Sequence, residues 1–299
     1  LAGLGCAAGL VLTGVAAFRW PVVQAHDAAS LAGFVALSTH PRLAGLASFI
    51  ANSVDPVPYA VAGLLLVAIA LLRRRWLLAL VVPATMVGAA ATTELLKPII
   101  GRVRYDDWLG AHQQIATASW PSGHATAAMT LGLCAVLVAP AVARPLVALF
   151  ACALAIGVSF SILMLRWHFP SDVLGGYLVA AMWVSVAVAV LWWGQRRWPA
   201  RNANPPSPLG LRSLFAPLAV VGAALGAGFG LLLTRAQLSA SYASGHASLI
   251  GGAALIAVSA AIAAACVAVV MRPAVRPAPG GGVAAPEAPS RFGLSRTHG

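Results

Sequence analysis

Eight apolar runs, at 1–18, 57–72, 76–96, 121–143, 145–165, 170–193, 213–234 and 247–271, take up most of this 299-residue chain. A helix needs about 20 apolar residues to cross the hydrocarbon core of a bilayer. Lipid offers no partner to backbone N–H and C=O groups, so each run must satisfy its own as helix. Composition agrees: 9% of residues are charged and 60% hydrophobic, with mean hydropathy +0.88, whereas a soluble domain carries about 25% charged residues. The expected fold class is an all-α polytopic membrane helix bundle of about eight transmembrane helices. The run 57–72 is short, and is expected to reach back past Pro56 or to tilt.

Three stretches stand apart. Residues 20–56, broken at Pro41-Arg42, read as an external loop with one or two short interfacial helices. Residues 272–299 are rich in Pro, Gly and Ala without periodicity, and are expected to be a disordered tail. The chain opens at Leu1, so further N-terminal sequence is expected. Residues 1–18 read as a span rather than a signal peptide, since Arg19-Trp20 ends the run without a cleavage site.

The net charge of +12 is sorted by position. Arg73, Arg74, Arg75, Arg144, Arg196, Arg197, Arg201 and Arg212 lie between alternate runs, and Arg272, Arg276, Arg291 and Arg296 in the tail. Those are twelve of the nineteen cations; the other seven share the opposite side with six of the seven acids. By the positive-inside rule the first set, with both termini, is cytoplasmic. The loops at 97–120, 166–171 and 235–246 are then extracytoplasmic, and they hold the chain's polar chemistry. Cations confined to span boundaries indicate no nucleic-acid partner. Cys6, Cys134, Cys152 and Cys266 fall inside apolar runs without paired spacing, so neither disulfides nor a zinc site is indicated.

Lys97, the only lysine, ends the third run, and Arg104 follows seven residues later. Together they offer fixed charge and a bidentate fork to a phosphate. Pro121-Ser122-Gly123-His124 opens the fourth run, placing a hydroxyl and unpaired N–H groups at a helix start. Between the fifth and sixth runs stand Arg166, His168 and Asp172. His168 and Asp172 are four apart at a helix start and can share a face, so the carboxylate can orient the imidazole for attack. His124 is suited to protonating a leaving group. One nucleophile, one acid and several cations make a phosphoryl-transfer site that needs no metal or cofactor. Each element alone is commonplace, but their order and common face are not, and ionisable groups at span ends are usually functional.

These motifs resemble the phosphatidic acid phosphatase type 2 superfamily, which also contains the vanadium haloperoxidases. The family pattern is K-x6-R-P, P-S-G-H and S-R-x5-H-x3-D on a six-helix core. Lys97 and Arg104 match the first, with Tyr105 in place of the proline; residues 121–124 match the second. Ser161, His168 and Asp172 match the third, with Ile162 where the family has arginine. The resemblance implies a metal-independent membrane lipid phosphatase. His168 would form a phosphohistidine, Asp172 orient it and His124 act as general acid. Lys97, Arg104, Ser122 and the Gly123 amide would hold the phosphate, with Arg166 standing in for the missing arginine. An outward-facing site suits a polyprenyl diphosphate substrate. Rival readings are a lipid phosphotransferase using the same site and a non-catalytic lipid-binding or transport protein.

The expected organisation is a phosphatase core over 1–193, two additional transmembrane helices over 194–271, and the tail. The latter pair encloses Ser241-Tyr242-Ala243-Ser244-Gly245-His246, an echo of Ser119–His124 that lacks a matching lysine or H-x3-D. The sequence leaves oligomeric state open.

Overall fold

Proline marks the helix starts. Pro21, Pro41, Pro56 and Pro170 each open a helix, and Pro145 stands second in another, where a missing N–H loses no intrahelical bond. In the computed structural model, which describes residues 1–100, 118–197, 242 and 244–271, nine helices result. They are α1 (Ala2–Arg19), α2 (Pro21–Leu37), α3 (Pro41–Asn52), α4 (Pro56–Leu72) and α5 (Trp76–Ile100), then α6 (Gly123–Val138), α7 (Arg144–Met164), α8 (Pro170–Arg197) and α9 (Ala247–Val270). All regular structure among the described residues is helical.

Helices α1, α5, α7, α8 and α9 are long and apolar enough to span a bilayer. A sixth span is available if α3 and α4, bent by 52° at their junction, are taken together. The short run at 57–72 therefore does continue backward, but through a break rather than a straight extension. The run 213–234 lies outside the described residues. Large apolar side chains such as Leu64, Leu80, Val87, Phe150, Trp192 and Ile262 are exposed. In water such a surface would aggregate; in lipid it is solvated. The molecule is a multi-pass membrane protein.

Helix α6 is the axis. It has 16 residues, fewer than the 121–143 run suggests, because Pro140 disfavours helical backbone at Ala139. Eleven of its residues are buried, and α4, α5, α7, α8 and α9 all pack on it. Small residues, Ala125, Ala128 and Gly132 among them, let the neighbours approach closely.

Two expectations change in detail. Residues 20–56 do form two helices, but these are built into the bundle rather than forming an external loop: α2 packs on α7, α8 and α9, and α3 on α7. The reason is visible in α2, whose Leu31 and Phe34 are buried. Nor is α9 appended to a finished core, since it packs on α2, α6, α7 and α8. At Gly252 a Cβ would run into the Ser30 hydroxyl and stand 3.7 Å from Pro170, so α9 presses against α2 next to the start of α8.

Candidate active site

The starts of α4, α6 and α8 and the ends of α5 and α7 meet at one end of the bundle. His168 sits in the short connection from α7 to α8, and its side chain is 6% exposed. Asp172, in the first turn of α8, is fully buried. Its Oδ2 accepts a 2.9 Å hydrogen bond from the Phe169 N–H, the reach-back bond of a capping box. The same oxygen lies 3.5 Å from His168 Nδ1, just beyond hydrogen-bond length, a contact that catalytic pairs often tighten on binding substrate. With Nδ1 facing the carboxylate, Nε2 is the ring nitrogen turned away from Asp172.

Ser122 is the N-cap of α6: its Oγ accepts from the Ala125 N–H at 3.2 Å. That arrangement keeps its own O–H available to donate. The Ser122 N–H donates to Asp172 O at 2.9 Å, stitching the start of α6 directly to α8. Below this stitch Thr126 donates to Ser122 O at 2.8 Å and to Gly176 O at 3.2 Å. Thr93 of α5 donates to Thr126 Oγ1 at 3.2 Å. Three helices are therefore locked by buried hydroxyls under the site.

The His124 and His168 rings lie with centroids 6.4 Å apart, and Trp167 stands 5.2 Å from His124 on another side. Lys97, in the last turn of α5, brings its Nζ within 3.6 Å of the point where a Cβ on Gly123 would stand. His168, Asp172, His124, Lys97, Ser122 and Gly123 are thus gathered in one place. Arg104 lies outside the described residues.

Arg166 stands two residues before His168 with an exposed side chain. Its backbone is left-handed, at φ 62°. The Arg166 N–H bonds Leu163 O and the Trp167 N–H bonds Ile162 O, the paired bonds of a Schellman motif. Ile162 itself is fully buried in the apolar core, so its side chain offers the site nothing.

Three carboxylates escaped the sequence reading. Asp55, just before α4, has its Oδ1 3.3 Å from His124 Nε2. Glu94 Oε1 lies 2.5 Å from Lys97 Nζ and, like it, 3.6 Å from the Gly123 Cβ position. Asp27 of α2, buried, accepts from the Ser171 N–H at 3.1 Å and from the Ser171 hydroxyl at 2.5 Å. Only Glu94, three residues before Lys97, carried a usable spacing signal. The other two are far from their partners in sequence. Of the helix starts at the site, that of α8 is already answered by Asp27 and Asp172. That of α6 has no acid in its first turn, so an incoming anion is better received there. His246 stays local: it stacks on Tyr242 at 4.0 Å and its Nδ1 lies 2.9 Å from Tyr242 O.

Residues 75–199, which hold all three motifs, match the model of the PAP2 superfamily. The resemblance to that superfamily is carried by this stretch, less than half of the chain. The crystal structure of a transmembrane PAP2-type phosphatidylglycerolphosphate phosphatase from Bacillus subtilis is similar, with a TM-score of 0.57 at 22% identity. The likeness covers 67% of this chain and 99% of that one, and at this identity it is one of fold. No curated protein sequence matches significantly. The PAP2 segment begins at the end of the α4–α5 connection and closes with α8, so Asp27 and Asp55 lie outside it.

Proposed function

We propose that the chain is an integral-membrane lipid phosphatase that cleaves a lipid phosphate or diphosphate, with polyprenyl diphosphate as its substrate. The carrying observation is the convergence of His168, backed by buried Asp172, with His124, Lys97 and the α6 start. His168 Nε2 attacks phosphorus while the bond from phosphorus to the leaving oxygen breaks. His124 gives its proton to that oxygen, and a phosphohistidine remains. Water then attacks phosphorus, its proton passes to His124, the N–P bond breaks and phosphate leaves. Lys97, Arg104, Arg166, the Ser122 hydroxyl and the Gly123 N–H hold the phosphoryl oxygens, where transition-state charge accumulates. The distribution of arginines supports an extracytoplasmic site with both termini in the cytoplasm.

Phosphate release by the purified protein from polyprenyl diphosphates, phosphatidate and phosphatidylglycerophosphate tests the reading. His168→Ala should abolish turnover and leave no labelled phosphoenzyme. His124→Ala should lose about 10²–10⁴-fold on a poor leaving group. Full activity in His168→Ala would refute the mechanism, and transfer of phosphate to an alcohol rather than water would make the protein a phosphotransferase.

A further inference from the structure

We propose that Asp55 is the positioning residue of a second histidine–carboxylate pair, orienting His124 as the acid of the reaction and offsetting part of the cost of its charged form. The inference rests on the proposed phosphatase chemistry and adds to it a residue from outside the PAP2 segment.

The argument starts from a cap that is not used as one. Asp55 is the N-cap residue of α4, a position where aspartate ordinarily accepts from the N–H of the second or third helical residue. Here its side chain makes no capping bond. Its Oδ1 lies 3.3 Å from His124 Nε2 instead. The side chain gives up a local contact that ordinarily stabilises a helix start in favour of a distant one.

His124 needs such a partner. It is the second residue of α6, where the positive end of the helix dipole opposes a cationic imidazole. Burial weighs most against its protonated form, and the His168 ring from the α7–α8 connection and the Lys97 ammonium from α5 oppose it further. Among the described groups facing His124, Asp55 alone favours the charged ring. A protonated imidazole donates from both nitrogens. With Nε2–H directed at Asp55, Nδ1–H is left to reach the leaving oxygen. The tilted Trp167 ring packs beside His124, 5.2 Å away. The two catalytic histidines are then matched: Asp172 takes one nitrogen of the nucleophile, and Asp55 takes one nitrogen of the acid.

The test is Asp55→Asn, which keeps shape and removes charge, measured on two substrates. One is the lipid phosphate turned over best, whose leaving oxygen needs a proton; the other is an activated aryl phosphate, which leaves without one. Asp55→Asn should lose tenfold or more on the lipid and much less on the aryl phosphate. The alkaline limb of its kcat/KM profile should move to lower pH, because a ring without its carboxylate gives up its proton earlier. Asp55→Glu should recover part of the loss, and adding Asp55→Asn to His124→Ala should cost little more. Equal losses on both substrates with an unmoved limb, or a double variant showing the full product of the two single losses, would overturn the proposal. Wild-type protein inactive on every phosphate tested would instead overturn the phosphatase reading.

Discussion

Arg166 occupies a position that chemistry at the residue level disfavours. A left-handed backbone costs an L-residue with a Cβ about 1–2 kcal/mol, and the closing position of a Schellman motif is usually glycine. The chain does the same at Arg74, φ 54°, where the Arg74 N–H bonds Leu71 O and the Arg75 N–H bonds Ala70 O. Arg166, unlike Arg74, lies two residues from the proposed nucleophile, where a strained backbone can serve to aim a side chain. If Arg166 holds a phosphoryl oxygen, Arg166→Gly and Arg166→Ala should both lose about 10²-fold in turnover, the scale of one transition-state contact. They should differ in stability. Glycine should raise the unfolding free energy by about 1 kcal/mol, since it relieves the backbone, and alanine should not. Turnover by both variants at the wild-type rate would remove Arg166 from the site.

Among elements, the junction of α6 with α8 decides whether the motifs can meet. A Cβ on Gly176 would stand 2.7 Å from Ser122 O and 3.0 Å from Thr126 N. Both are backbone atoms, so Gly176→Ala has to separate the helices. Overpacking of this kind costs about 1–3 kcal/mol, and turnover should fall with the loss of register; unchanged melting and kinetics would show the contact to be slack. The Asp27 clasp acts on the same helix. Asp27→Ala leaves the buried Ser171 N–H and hydroxyl without this acceptor, a loss of about 1–3 kcal/mol, measurable as a lower unfolding midpoint than Asp27→Asn, which still accepts. The sequence made P-S-G-H and H-x3-D legible because each motif keeps its partners within one helix turn. Asp27 and Ser171 are 144 positions apart, and Asp55 and His124 are 69 apart. A single carboxylate in or beside an apolar run has no period to betray such a partner.

At the scale of the whole molecule the two ends differ in kind. Opposite the site, Arg73 donates to Val138 O, Arg75 to Leu137 O and Arg144 to Met271 O. These are carbonyls at the C-terminal ends of α6 and α9, which intrahelical bonding leaves open. Arginines that the sequence offered only as orientation signals therefore also finish two helices. The proposed sidedness can be tested at both ends. With the native cysteines replaced, Tyr242→Cys, ahead of α9, should react with an impermeant thiol reagent added outside intact cells. Arg74→Cys should react only after permeabilisation. The reverse pattern would put the site in the cytoplasm. The all-helical, membrane-spanning character was readable because lipid demands length and hydrophobicity; the described residues hold five such helices, or six with the bent α3–α4 pair, against about eight expected. The burial of α2 and α9 within the bundle was not, since an apolar helix face reads alike against lipid or protein.

The pairing of Glu94 with Lys97 changes what binding means at this site. The side chain of Glu94 is 65% exposed, and an ion pair so open to solvent is worth only about 0–1 kcal/mol. If Lys97 receives phosphate as proposed, the protein carries its own weakly held counterion at that place. Substrate capture would then be an anion exchange: a phosphate with the greater charge would displace a singly charged carboxylate, which swings aside on its own tether. A ligand bearing one negative charge gains little from that trade. On the proposed chemistry the site would be graded toward doubly charged phosphate groups, and product phosphate would meet a competitor built into the protein.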